Sequence, residues 1–287
     1  MGNYLNEIIF MPQDKDDYKL SRHIISKADK NYFLKTKNNS FIEVIEIHKK
    51  NNNTKENNED ENNTWMILSH ANAESLYNMA IWCYHYLEQK LNINFIIYEY
   101  TGYNKEEENM KFIKVGNSYH LTNDLINENE VYNGFKHFPK QEYVFDDIET
   151  IYNHLINSGV KSSNIIAFGR SLGSAPSIYL STKFKIRGLI TSSAFTSILR
   201  VAFPLRFNLF FDKFNNLELI KKVMCPTCII HSVQDEIVPF EHALDLYNSL
   251  ENKFPPLFVI GSKHNTIDYL PEVIDHIFNF INLIFKN

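Results

Sequence analysis

Residues 165–175 read IIAFGRSLGSA, and this stretch decides the fold. A compact apolar strand over Ile165 to Phe168 runs into the pattern Gly-x-Ser-x-Gly at residues 169–173, and a helix of small residues follows. So tight a turn strains the backbone of Ser171, and the residues two before and two after it must be small. The turn lifts the Ser171 hydroxyl to the carboxyl edge of a sheet, where open α/β sheets bind ligands. We therefore interpret Ser171 as the candidate nucleophile. The alternative interpretation of the motif is an ordinary glycine-flanked turn between a strand and a helix.

Candidate partners for this serine follow later in the chain. A serine hydroxyl needs a histidine to take its proton and a carboxylate to orient that histidine. Asp235 lies in a loop after one apolar run, and His264 lies in a loop after the next. The order serine, acid, histidine is that of a nucleophile elbow on an α/β sheet. Glu236 and Asp268 are competing candidates for the acid.

A developing oxyanion requires two preorganised backbone N–H groups. One is expected from Leu172, directly after the nucleophile, and the other from the loop SHANA at residues 69–73, which follows an earlier apolar run. Asn72 is the predicted second donor. His70 is interpreted as a residue that orders this loop by hydrogen bonding, without a role in proton transfer.

The rest of the chain alternates short apolar runs with helical patterns. This alternation predicts an α/β fold, with a doubly wound, mostly parallel sheet covered on both faces, in one domain over residues 1–287. Two insertions interrupt it. Residues 51–64 are almost wholly Asn, Lys, Glu, Asp and Thr and are predicted to be disordered. Residues 104–141 lack clear periodicity and are predicted to form a partly ordered excursion.

A short apolar cap segment is predicted after Ser192, where aromatic residues are denser than a connection needs. Phe195, Leu199 and Phe203 are the candidate substrate-binding residues in it, since exposed apolar patches usually mark binding. A helix that simply closes the core is the alternative interpretation.

Composition limits the function classes. With 287 residues, 44% of them hydrophobic, the chain can bury a sizeable core, and a net charge of −5 argues against a general nucleic-acid binder. The three cysteines fit no disulfide framework, and the C-x-x-C at 225–228 opens a strand, which favours core packing over a metal or redox site. No run approaches the about 18 apolar residues of a membrane span. We expect a cytoplasmic protein, with peripheral membrane contact as a further expectation.

Several longer stretches resemble one family. They are SHANA at 69–73, YEYTGY at 98–103, LRVAFP at 199–204, CPTCIIHSVQDEIVPF at 225–240 and GSKHNTID at 261–268. Together with the nucleophile motif they resemble α/β-hydrolase domain-containing protein 17, a cytosolic depalmitoylase branch of the serine hydrolases. The resemblance implies the α/β-hydrolase fold and hydrolysis of acyl esters or thioesters, including palmitoyl thioesters on protein cysteines. It also implies an acylated protein or a lipid ester as substrate, no metal and no cofactor.

The sequence departs from that family at defined points. Ala71 stands where a glycine is expected, which raises the question whether its Cβ restricts the oxyanion loop. The first cysteine is Cys83, so anchoring by palmitoyl chains near the N-terminus is not expected. Gly2 matches a myristoylation signal only in part, because Asn6 replaces Ser or Thr. Two alternatives stay open: a small-ester carboxylesterase or lysophospholipase, and a catalytically silent scaffold of the same fold.

Overall fold

One twisted sheet between two helical layers forms the body of the protein. The computed structural model describes residues 9–12, 30–50, 63–105, 107–122, 131–203 and 212–286. Within this part the sheet has eleven strands. They are β1 (Lys30–Lys35), β2 (Phe41–Ile47), β3 (Trp65–Ser69), β4 (Asn94–Tyr98), β5 (Lys111–Val115), β6 (Ser118–Leu121), β7 (Val131–Asn133), β8 (Ile165–Arg170), β9 (Gly188–Ser192), β10 (Thr227–Ser232) and β11 (Leu257–Val259).

The strand order explains where the site lies. Across the sheet the strands run β11-β10-β9-β8-β3-β4-β2-β1-β6-β5-β7, and the six from β11 to β4 are parallel. The chain passes from β3 to β4 on one side and then returns to place β8 on the other side of β3. Ligands of open α/β sheets bind at such a switch point, at the carboxyl ends of the strands. The pairing Ser69↔Gly169 brings the two relevant loops together there.

Both faces of this sheet are covered by helices. They are α1 (Leu76–Trp82), α2 (Gln141–Asn157), α3 (Ser174–Lys183), α4 (Ile198–Ala202), α5 (Asn216–Ile220), α6 (Phe240–Ser249) and α7 (Pro271–Lys286). Successive side chains of a strand point to opposite faces. In β3, accordingly, Trp65 and Ile67 join one buried cluster, and Met66 and Leu68 join another on the opposite face. The predicted doubly wound α/β fold is confirmed, with both faces of its parallel part buried.

The described residues of the segment 104–141 include strands that the local sequence pattern does not predict. It carries β5, β6 and β7, which pair antiparallel and extend the sheet through β1. Phe33, Phe41 and Phe112 form a small core of their own there, with the rings of Phe41 and Phe112 stacked at 4.2 Å between centroids. These strands are short, and the pairing that joins them to the main sheet, between β6 and β1, links residues distant in sequence, which local periodicity does not reveal.

Other expectations fall on residues that the structure does not describe. Residues 51–62 of the Asn-rich insertion, Gly2 and residues 204–211 of the cap segment lie outside the described ranges. Among the described helices, none combines the length and the apolar character needed to cross a membrane.

A buried carboxyl group ties the added strands to the main sheet. Glu107 accepts hydrogen bonds from the N–H of Phe41 at 2.8 Å and from the Ser40 hydroxyl at 3.1 Å. Burial raises the pKa of Glu107 to about 7, against the opposing effect of these two donors. Between the ordinary pKa and about 7, the native state therefore holds a proton that the unfolded chain has released, so stability falls as pH rises through this window.

Glu107→Gln is expected to remove this pH dependence. From pH 4 to pH 8 the free energy of unfolding of the wild type should fall, relative to the variant, by on the order of 3 kcal/mol. Urea unfolding at the two pH values measures the difference. Glu108→Gln, at an exposed neighbouring position, is the matched control and should keep the wild-type slope. An unchanged slope in Glu107→Gln would show that Glu107 does not titrate in this range.

Candidate active site

The turn around Ser171 has a strained backbone. Ser171 has φ +49°, in the left-handed region, and opens a single 3-10 turn over Ser171–Gly173 between β8 and α3. Such strain in a non-glycine residue is typical of functional sites. A Cβ on Gly169 would lie 2.2 Å from the carbonyl oxygen of Gly173, and one on Gly173 would lie 2.1 Å from that of Ser69. Both glycines are therefore required by close backbone approach, and the second brings the turn against the end of β3.

Ser171, His264 and Asp235 lie in one chain of hydrogen bonds. The Oγ of Ser171 is 3.0 Å from Nε2 of His264. The Nδ1 of His264 is 2.8 Å and 3.0 Å from the two carboxylate oxygens of Asp235. All three residues are buried, so the contacts lie in a medium less polar than water. The structure thus brings together the three residues that the sequence singled out.

Asp235 is held in its ionised form by its donors. The N–H groups of Ile237 and Val238 donate to its Oδ1 at 2.9 Å and 2.8 Å. Burial alone would raise the pKa of Asp235, but the hydrogen bond from His264 and these backbone donors outweigh it, so the pKa lies below its ordinary value. A carboxylate that stays charged is what a histidine needs to keep its proton on Nδ1.

The two competing candidates for the acid, Glu236 and Asp268, contact groups other than the His264 ring. Glu236 accepts a hydrogen bond from the backbone N–H of His264 at 3.2 Å and so braces the histidine loop. Asp268 accepts the Ser192 hydroxyl at 2.5 Å and pairs with Arg170. Neither carboxylate is hydrogen-bonded to the His264 ring. Asp235 is therefore the carboxylate that can orient the imidazole.

A second buried histidine lies beside this carboxylate. His231 is within 3.6 Å of Asp235, and its Nε2 hydrogen-bonds the carbonyl oxygen of Val238 at 2.9 Å. Burial lowers the pKa of His231, although the Val238 carbonyl and the charge of Asp235 oppose the shift. A neutral His231 adds no positive charge that would compete with His264 for Asp235.

The predicted oxyanion loop is a tight turn from Ala71 to Glu74. The N–H of Glu74 donates to the carbonyl of Ala71 at 3.4 Å, and the N–H of Ala71 donates to the Glu74 carboxylate at 2.9 Å. The left-handed residue of this turn is Ala73, with φ +56°, whereas Ala71 lies outside the left-handed region. The Cβ of Ala71 therefore does not strain the loop. Within the described residues, the N–H of Asn72 donates to no protein acceptor, as an oxyanion donor requires.

The other predicted donor is at the start of the turn that follows Ser171. The first N–H groups of a helix have no intrahelical partner. Leu172, the second residue of the 3-10 turn, is buried beside the nucleophile. The backbone of Leu172 is therefore placed to supply an N–H next to Ser171.

The side chain of Asn72 forms hydrogen bonds with a different part of the chain. Its Nδ2 donates to the carbonyl of Ile9 at 2.7 Å, and its Oδ1 accepts from the N–H of Met11 at 2.9 Å and from the Tyr103 hydroxyl at 2.7 Å. Phe10, between these two residues, is buried and packs edge-on against Tyr103. Asn72 thus fixes residues 9–12 beside the oxyanion turn, a contact for which the sequence carries no local signal.

Asn72→Ala separates the two roles of Asn72. Alanine keeps the backbone N–H, so we expect a loss in kcat smaller than the about 10²- to 10³-fold cost of removing an oxyanion donor. Loss of three hydrogen bonds should lower the free energy of unfolding by about 1–3 kcal/mol. Ester turnover and urea unfolding on the same preparation measure both. A thousandfold loss of kcat with unchanged stability would instead identify the side-chain amide as the donor.

His70 orders this loop, as the sequence suggested. Its Nε2 lies 2.8 Å from a carboxylate oxygen of Glu99, its Nδ1 lies 2.8 Å from the carbonyl of Ala71, and its ring packs on Tyr100. Glu99 in turn accepts the N–H of Leu76 at 3.2 Å. This fully buried network of contacts holds the turn from Ala71 to Glu74 in place.

The three predicted substrate-binding residues occupy different environments. Phe195 is buried and packs edge-on against Phe214 in the main core. Leu199 lies in α4 and is partly buried, and Phe203, directly after α4, is 56% exposed. Their contact with substrate stays a prediction, in which the exposed Phe203 is the most accessible of the three.

The amino-acid sequence is similar to those of curated α/β-hydrolase domain-containing proteins. It is 27% identical over 219 residues to human α/β-hydrolase domain-containing protein 17B and 30% identical to protein 17C of Xenopus laevis. The match covers 76% of this chain, and the chain spans 66% and 61% of the length of those two relatives. No family model matches the chain.

Solved structures share the fold at low sequence identity. Est1E from Butyrivibrio proteoclasticus superposes with a TM-score of 0.61 at 13% identity, covering 90% of this chain and 99% of its own. The Pyrococcus furiosus esterase Pf2001 gives a TM-score of 0.58 at 16% identity, covering 88% and 91%. At such identities the likeness concerns the fold alone. From this fold, the Ser171–His264–Asp235 geometry and the sequence relatives, we conclude that the chain has the α/β-hydrolase fold and is similar to α/β-hydrolase domain-containing protein 17.

Proposed function

We propose that this protein is a serine acyl-hydrolase that cleaves ester or thioester bonds. The observation that carries the proposal is the continuous chain of hydrogen bonds from Ser171 through His264 to Asp235. The N–H of Asn72, which has no acceptor in the part of the chain that the structure describes, and the placement of Leu172 support it, because acyl transfer needs donors for a developing oxyanion.

The geometry supports a two-step acyl transfer. The Oγ of Ser171 attacks the carbonyl carbon, and its proton passes to Nε2 of His264 while Asp235 stabilises the imidazolium. The tetrahedral intermediate then expels the alcohol or thiol, which takes the proton from His264 and leaves an acyl-serine. A water molecule, deprotonated by His264, attacks this ester and releases the acid, restoring the Ser171 hydroxyl.

A long-chain acyl group is the proposed substrate. Exposed apolar side chains lie in the loops that carry the site: Met11 beside Asn72, Ile237 after Asp235, and Ile260 before His264. Ile260 is 79% exposed. Apolar residues around a polar site suit a lipid ester or the palmitoyl thioester of a protein cysteine. The same residues support the proposal of peripheral membrane contact, and the free cysteines Cys83, Cys225 and Cys228 support the proposal of a cytoplasmic location.

Chain-length dependence tests the substrate proposal. We expect kcat/KM for acyl thioesters to rise from four-carbon to sixteen-carbon chains, because each buried methylene contributes about 0.8 kcal/mol. Palmitoylated peptides and lysophospholipids with the same acyl chain are compared in parallel. Preference for short chains would favour the small-ester carboxylesterase, and preference for the lysophospholipid would favour the lysophospholipase.

A catalytically silent scaffold is the candidate from another class. A fluorophosphonate probe decides between the two, since it reacts with an activated serine. We expect labelling of the wild type that is absent in Ser171→Ala. A folded wild type that is not labelled would favour the scaffold.

A further inference from the structure

Arg170, the residue directly before the nucleophile, contacts both loops that flank it. It is the last residue of β8 and is 7% exposed. Its guanidinium pairs with the Glu74 carboxylate on one side. On the other side its Nε lies 2.7 Å from Oδ2 of Asp268, as an ion pair, and one terminal nitrogen donates to the side chain of Asn265 at 3.4 Å.

Glu74 extends this contact to the oxyanion turn. One of its carboxylate oxygens contacts Arg170, and the other accepts the N–H of Ala71 at 2.9 Å. Asn72, the predicted donor, lies between Ala71 and Glu74 in the same turn. The position of Asn72 is therefore tied, through one carboxylate, to the residue that precedes Ser171.

Asp268 and Asn265 extend the contact to the histidine loop. Asn265 directly follows His264. Asp268 is the second residue of the next turn, Ile267–Tyr269, and is fixed by the Ser192 hydroxyl at 2.5 Å and, through its carbonyl, by the indole N–H of Trp82 at 2.9 Å. Arg170 thus joins the end of β8 to the loop that carries His264.

We propose that Arg170, acting through Glu74 and Asp268, is a positioning residue that sets the oxyanion turn and the histidine loop at their distances from Ser171. This inference rests on the proposed function, because it concerns the hydrolytic step. Oxyanion donors act only within about 2.7–3.1 Å of the developing charge, and a displacement of about 1 Å costs about 10²-fold in rate. A planar guanidinium can bridge two carboxylates at fixed angles, whereas a lysine ammonium is a point charge.

Steady-state kinetics with a short-chain p-nitrophenyl ester test the proposal. We expect Arg170→Gln to lower kcat by about 10- to 100-fold with KM changed less than about threefold, since the misplaced groups act in the transition state. Arg170→Lys should resemble Arg170→Gln, because lysine cannot bridge both carboxylates. Glu74→Gln should lower kcat less, and the double variant should be no worse than Arg170→Gln alone. Glu218→Gln, which breaks the exposed ion pair with Lys221, is the matched control.

Two outcomes would overturn the proposal. One is full kcat in Arg170→Lys, and the other is a rise in KM with kcat unchanged, which would indicate substrate binding instead of positioning. Hydrogen–deuterium exchange provides a readout that does not depend on turnover. Arg170→Gln should speed exchange in both peptides 69–76 and 261–268, and unchanged exchange in either would contradict the proposal. If the wild type shows no Ser171-dependent turnover, the proposed function fails, and this exchange experiment still decides whether Arg170 holds the two loops.

Discussion

Ser171→Ala is expected to lower kcat for ester hydrolysis by about 10⁴- to 10⁶-fold. The variant loses the nucleophile, and His264 then has no hydroxyl to deprotonate. A residual rate above that of water should persist, because the oxyanion turn and the binding surface are unchanged. The effect should fall on kcat, since the Ser171 hydroxyl contributes to the reaction more than to ground-state binding.

Purified Ser171→Ala and wild type should be compared in ester turnover and in labelling by a fluorophosphonate probe. Ser181→Ala is the matched control, because this hydroxyl donates to the carbonyl of Ser177 within α3 and not to the site. Ser181→Ala should retain turnover and labelling. Equal turnover in Ser171→Ala and wild type would exclude Ser171 as the nucleophile.

Asp235→Asn is expected to lower kcat by about 10³- to 10⁴-fold while the fold survives. The carboxamide oxygen can still accept the N–H groups of Ile237 and Val238, so the loop should keep its shape. Its NH₂ group, however, faces Nδ1 of His264 and favours the tautomer that cannot take a proton from Ser171. Because the pKa of Asp235 lies below its ordinary value, the wild-type carboxylate should stay charged down to pH values below the usual carboxylate range.

Glu236→Gln is the control that also tests the competing acid. Glu236 contacts the backbone N–H of His264 and not its ring, so its loss should cost much less than Asp235→Asn. Near-ultraviolet circular dichroism on both variants checks that the tertiary structure is intact. If the two variants lost kcat equally, the assignment of Asp235 as the acid would be wrong.

Residues 165–175 predict the elbow, because they combine a buried strand, two obligatory glycines and a helix in consecutive positions. The same holds for the order of Ser171, Asp235 and His264, since each follows an apolar run. Chain order and strand direction are enough to place such loops at one edge of a parallel sheet. The sequence does not predict β5, β6 and β7, in contrast, because they are short and because β6 joins the main sheet through β1, which is far away in sequence.

In the Asn72 region, the roles of individual atoms could not be predicted from the sequence. The sequence predicted the loop and the residue, but not which atoms act: among the described residues the backbone N–H of Asn72 donates to no acceptor, and its side chain holds Ile9 and Met11. It also raised a question about Ala71 that the backbone answers, since the left-handed position is Ala73. Atom-level roles follow from φ values and hydrogen-bond directions, which residue identity alone does not fix.

The sequence by itself predicted the fold class, Ser171 as the candidate nucleophile and His264 as its base, because these depend on local turn geometry and on chain order. Tertiary structure alone decided which of three carboxylates meets the His264 ring, and how the loops around Ser171 are held. Arg170 and Glu74 are 96 residues apart in the chain and meet only because β8 lies beside β3. Contacts of this kind are set by sheet register and by the directions of side chains, and neither can be predicted from a local stretch of sequence.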